Sequence, residues 1–263
     1  MRHKVFILLL VGLVLNLWAF SILAQEEEPK SQLYFIHEDV VKPSMVSKYE
    51  EAVKGVVAKL TENNMTSLSH VVAMSEDFHY SFIAQIENMA DLDKSPWKEL
   101  EKKIGEEAMK AMWKGYEGTY YKHHSFLVRL RPDLSYTPET TSEESEEMNF
   151  RHWSFYYVNP DKWNEAREIS KEWVALFKSK KIPTGYRMYT GGIGTEVPLY
   201  IVVQWAKNAA EFYAQAAKND ELLGEEGEAL GAKTMAITRK FEQKNGWIRP
   251  DLSYMPEEEM TAK

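Results

Sequence analysis

Arg131-Pro132-Asp133-Leu134-Ser135-Tyr136 recurs as Arg249-Pro250-Asp251-Leu252-Ser253-Tyr254, and each copy is followed by one residue and then Pro-Glu. The copies lie 118 residues apart. That period is too long for a solenoid repeat and suits a small domain, so the chain reads as one fold duplicated. Pro-Asp starts a turn where the chain leaves a strand, and the residue before each proline is held extended. The hexapeptide is therefore read as a structural latch, with Leu134, Leu252, Tyr136 and Tyr254 folding each exit segment back onto the edge of its own domain.

Working back from the hexapeptides, the halves align element by element. After Pro43 and Pro160, the stripe Val46, Tyr49, Val53, Val56, Val57, Leu60 is matched at an offset of 117 by Trp163, Ala166, Ser170, Trp173, Val174, Phe177. Spacings of three, four and seven place each set on one helical face, and proline suits the first helical turn. A strand precedes each helix (32–40 and 152–158), and two strands follow it (67–74 and 79–86; 185–190 and 199–205). The glycine-rich 190–195 stretch lies between two strands and reads as a hairpin turn. A second helical region spans 91–116 and 209–241, with Gly105-Glu106-Glu107 echoed by Gly224-Glu225-Glu226. A last strand, 124–130 or a shorter one near Trp247-Ile248, leads into each hexapeptide. The order is βαββαβ twice, an α+β fold of two tandem ferredoxin-like units. The expected layout is a signal peptide (1–24), a short linker (25–31), domains 32–136 and 150–254, an acidic linker (137–149) and a tail (255–263).

The first 24 residues carry a basic start, an apolar run from Val5 to Phe20, and small residues ending at Ala24. This is the pattern of a secretory signal, with an uncleaved anchor as the alternative. The expected destination is the periplasm or the exterior, with no membrane association after cleavage. There is no cysteine, which excludes disulfides, thiolate metal sites and thiol nucleophiles. Without Arg2 and Lys4 the chain has 30 basic and 40 acidic residues, a net charge of −10 that disfavours nucleic acid as a partner.

This duplicated order resembles the dimeric α/β-barrel superfamily, in which two ferredoxin-like units join sheet to sheet around a central barrel. The resemblance implies a small-molecule cavity. It also implies a choice of chemistries, among them cofactor-free monooxygenases and haem enzymes, without selecting one. Strand alternation puts Gln85, Gln204 and Tyr200 between the sheets, joined by Arg187 and Tyr189, while Ile201, Val203 and Trp205 pack under the helices. These five residues are the candidate ligand contacts, for a small apolar or aromatic molecule. Histidine is concentrated in the first half, so His37, His70, His79 and His124 are the candidate catalytic groups. His70 alternates with apolar neighbours and reads as a core residue. His123 and His124 are adjacent on a strand, point to opposite faces and do not share an ion; no metal or cofactor is assigned. No HExxH, GxSxG or Walker-type spacing occurs. The leading reading is a secreted binding module. The alternatives are an oxygenase or haem-type enzyme and a structural or protein-interaction module.

Overall fold

The computed structural model describes residues 30–138 and 148–256. The expected signal peptide, most of the acidic linker and most of the tail lie outside the described residues. Among those described, no helix is long and apolar enough to cross a membrane.

The first half runs β1 (Gln32–Val41), α1 (Val46–Glu62), β2 (Val71–Ser75), β3 (His79–Ile86), α2 (Pro96–Ile104), α3 (Glu106–Lys114) and β4 (Tyr120–Leu130). The second runs β5 (Phe150–Val158), α4 (Trp163–Ser179), β6 (Arg187–Gly191), β7 (Leu199–Ala206), α5 (Ala209–Ala236) and β8 (Thr238–Ile248). Both prolines open a short 3-10 turn that leads into the first helix of the half. The stripe side chains Tyr49, Val53, Val56 and Leu60 are buried, as are Ala166, Ser170 and Phe177. Trp163, placed on the same stripe, stands 44% exposed because it is the first residue of α4. The repeated Gly-Glu-Glu marks a break in both second helices: Gly105 has φ 87° and separates α2 from α3, and Gly224 has φ 54° and kinks α5.

The eight strands close into a barrel in the order β1-β3-β2-β8-β5-β7-β6-β4. Two seams join the halves, β2 to β8 through Ser75↔Gly246 and β4 to β6 through Val128↔Gly191. At the first seam the backbones approach so closely that a Cβ on Gly246 would lie 2.0 Å from the Met74 carbonyl oxygen. Only glycine fits there.

β8 differs from the expectation: it has eleven residues, several of them assigned from the sequence to the preceding helix. Its Arg239, Lys240, Glu242, Gln243 and Lys244 show no apolar alternation, so the period-two signal of a half-buried strand is missing. Pairing with β5 across nearly its whole length holds it in the sheet.

Helices cover the outer face of the sheet. One apolar cluster joins α1 to β2 and β3 through Tyr49, Val53, Val72 and Tyr80, and another joins α4 and α5 to β6 and β7. A third cluster draws only on strands, with Ile36, Val128, Leu199 and Ile201 packed against Trp153, Phe155 and Tyr189. It fills the barrel interior.

The hexapeptides latch across the barrel and not onto their own halves. Leu134 is fully buried in the α4–α5 core of the second half, and Tyr136 pairs with Tyr186 while donating to the Ile182 carbonyl at 3.0 Å. Leu252 is fully buried beside Tyr49 and Val53 in the first half. Tyr254 pairs with His70 and donates to the carbonyls of Met65 and Leu60 at 3.0 and 3.3 Å. The reason is topological: β4 lies beside β6 and β8 beside β2, so a chain leaving either strand runs onto the opposite half.

Candidate functional site: the cavity under α4 and α5

The five candidate ligand contacts divide between two faces of the sheet. Gln85 follows Ile83 on the barrel side, and at that end of the barrel Arg187 stacks over Trp205 at 5.3 Å and Tyr189 meets Tyr34 edge-on at 5.9 Å. Tyr200 and Gln204 point the other way, toward the helices, and Ile201 and Val203 take the barrel side. Alignment parity explains the reversal. The β-bulges at Val40/Val41 and Tyr157/Val158 set β1 against β5 at an offset of 117, and the ladder partners Ile36↔Ile83 and Trp153↔Val203 then set β3 against β7 at 120. The offset of 119 drawn from the two glutamines is odd by one residue, and such a slip moves a whole strand to its other face.

Tyr200 and Gln204 instead line a cavity of about 260 Å³ between the outer face of β5–β7 and helices α4 and α5. It sits beside the α5 kink, walled by Asn219 and Leu223 before Gly224 and by Thr234 after it. Its lining is mainly aromatic and aliphatic. Most polar groups on the wall are already matched: Trp173 Nε1 donates to Thr234 Oγ1 at 2.9 Å, and Ser170 Oγ donates to the Ala166 carbonyl at 2.8 Å.

Two are not. The Tyr186 hydroxyl and Asn219 Oδ1 are buried without a hydrogen-bond partner. Asn219 Nδ2 donates to Thr184 Oγ1 at 2.7 Å, and reversing the amide would leave its other end unmatched instead. Unmatched buried polar atoms of this kind cost on the order of 1–3 kcal/mol each unless something in the cavity meets them. Burial pushes the Tyr186 hydroxyl well above the ordinary phenol range, so it stays protonated. The one carboxylate on the wall is Asp220, on an exposed position of α5.

The candidate histidines do not converge on one site. His70 is half-buried against Phe82 at 5.5 Å with its Nε2 enclosed and unpartnered, and desolvation lowers its pKa to about 4. His79 and His124 share Glu38, at 2.9 and 3.8 Å. The His79 hydrogen bond is the largest effect opposing the burial of Glu38, and the net result is a lowered carboxyl pKa. His37 lies on the opposite face of β1 and meets His123 edge-on at 5.6 Å. Trp97 and Trp113 pack on each other at 5.0 Å in the first half, away from the cavity. The sequence singled out Tyr200 and Gln204 but missed Tyr186 and Asn219. The first immediately precedes β6, in an isolated bridge with Tyr136, and the second lies inside a long helix, so neither carries a local signal.

The closed barrel with helices on its outer face is a fold shared with several solved structures. A Fusobacterium nucleatum protein described as a "putative monooxygenase" matches with a TM-score of 0.52 at 13% identity over 82% of this chain and 92% of that one. An anthrone oxidase-like protein matches with a TM-score of 0.56 at 12% identity, over 85% and 92%. A mutant chlorite dismutase from Candidatus Nitrospira defluvii matches with a TM-score of 0.50 at 12% identity, over 85% and 94%. No family model and no curated protein matches the sequence.

Haem does not fit the cavity. Its wall offers no imidazole or thiolate as axial ligand. The buried Tyr186 has no cation beside it to favour the phenolate that a tyrosine-bound iron needs, and its raised pKa opposes that form. The volume is also below the ~300 Å³ at which sites for drug-sized ligands begin, and haem is larger than most of those.

Proposed function

We propose that the protein takes a small, largely aromatic molecule with a hydroxyl or carbonyl edge into the α4–α5 cavity and oxidises it with dioxygen, without haem. The observation that carries this reading is the pair of unmatched, buried polar atoms on a mainly apolar wall. Asn219 Oδ1 accepts and the Tyr186 hydroxyl donates, which suits a ligand presenting one donor and one acceptor. The likeness to proteins described as monooxygenase and anthrone oxidase-like supports oxidation over simple storage. For a CH₂ group between aromatic rings, dioxygen alone balances the reaction: one oxygen atom becomes the new carbonyl, the other leaves as water, and the substrate supplies all four electrons. Asp220, at the cavity wall, is the group placed to take the first proton. Binding without turnover is the second reading, favoured by a wall that carries no imidazole. The same proposal takes the halves 32–136 and 150–254 as fused ferredoxin-like domains, and the chain as exported after removal of residues 1–24.

Anthrone is the probe. Dioxygen uptake of one equivalent per substrate is expected, with Asp220→Asn lowering kcat. Tyr186→Phe leaves the anthrone carbonyl without its donor and should weaken binding by about 5- to 150-fold. Thermal stabilisation by anthrone without dioxygen uptake would leave the binding claim and remove the enzymatic one; neither effect would remove both.

A further inference from the structure

The geometry points to a second, independent site on the outer face of the first half: a seat for one divalent transition-metal ion held by His37, Asp39 and His123. Residues 37 and 39 share a face of β1 because side chains alternate along a strand. Asp39 is paired directly with His123 on β4. The ligand atoms of the three side chains all lie within 4.8 Å of one another. His37 Nε2 and Asp39 Oδ1 are 3.3 Å apart. Metal–ligand bonds of 2.0–2.1 Å in a tetrahedral site give a ligand–ligand edge of about 3.3 Å.

The far end of two of these ligands is already held, as outer-shell groups hold the ligands of metal sites. The Asp39 carboxylate accepts from the Tyr49 hydroxyl at Oδ2, at 2.7 Å. His37 Nδ1 lies 3.0 Å from Ser125 Oγ. With its proton on Nδ1, given to Ser125, His37 turns the Nε2 lone pair toward Asp39. Asp39 itself is 4% exposed, and its Oδ1 has no hydrogen-bond partner. In that tautomer a buried carboxylate oxygen faces a ring nitrogen lone pair and calls for a cation between them, whereas a proton on Nε2 would let the ring itself donate to Asp39. His123 is exposed, which gives an ion a way in and leaves a coordination position for water. Two imidazoles and one carboxylate with an open position suit Zn²⁺ and neighbouring first-row ions.

The rival occupant is a proton on His37. Calorimetry with ZnCl₂ on the tag-free full chain, stripped of metal by a chelator, separates the two, and visible ligand-field bands of Co²⁺ report the ligand set. One Zn²⁺ per chain is expected. Loss of the exposed ligand in His123→Ala should weaken binding at least 10-fold, and Ser125→Ala, a positioning residue, should weaken it about 10- to 100-fold. His79→Ala, on the barrel face with Glu38, should bind as the parent does. No zinc uptake by the parent protein, or equal affinity in His123→Ala, overturns the site.

Discussion

Truncating Leu252 to alanine tests the crossed latch. The side chain is fully buried, and it sits among Tyr49, Val53, Val72 and Tyr80, all themselves almost completely enclosed. Removing a leucine from such a position costs the lost transfer energy and leaves a cavity whose rigid aromatic walls relax little, in total about 3–5 kcal/mol. That is a large share of the 5–15 kcal/mol typical of a folded protein. Tyr254→Phe removes the hydroxyl that bonds the Leu60 and Met65 carbonyls, and should cost about 1–2 kcal/mol more. Urea unfolding measures both. Location distinguishes the crossed latch from a latch folded onto its own half: amide hydrogen exchange in Leu252→Ala should quicken in α1, around Val53 and Val56, although the mutated residue follows β8. A cost below about 1 kcal/mol, or faster exchange confined to α4 and α5, would refute the reasoning.

Two further outcomes follow from the same geometry. His70 is neutral in the folded protein, its pKa lowered from 6.5 to about 4 by burial. The unfolded chain therefore binds the extra proton first, and stability falls as pH drops from about 6.5 through 4, by about 3 kcal/mol at the acid end. His70→Gln should flatten that part of the stability profile, and an unchanged profile would place the titration elsewhere. At the β2–β8 seam, Gly246→Ala pushes a methyl group into the Met74 carbonyl. It should lower the melting temperature by several degrees and speed exchange at Ser75, and an unaltered melt would show that the seam can open freely.

Much of this was legible along the chain. The repeated hexapeptide, the helical stripes and the Gly-Glu-Glu echo give the duplication and nearly every element, because helical burial repeats every three to four residues whatever lies on the far side. β8 was obscured because it shows no apolar alternation. The faces of β7 were lost to a single residue of alignment, since the side-chain period of a strand is two and the sequence does not show which hairpin holds the inserted residues.

The sequence by itself determined that two like halves exist, what elements each contains, and that no cysteine chemistry is available to them. Tertiary structure alone decided that the halves share one closed barrel, that each latch belongs to the other half, and that Asn219 and Tyr186 meet in a cavity while His37, Asp39 and His123 meet on a strand pair. The physical reason is range. Periodicity reports the local face on which a side chain lies, whereas a seam, a cavity or a ligand set is made by residues tens of positions apart, brought together only by the ladder register and the closing of the sheet.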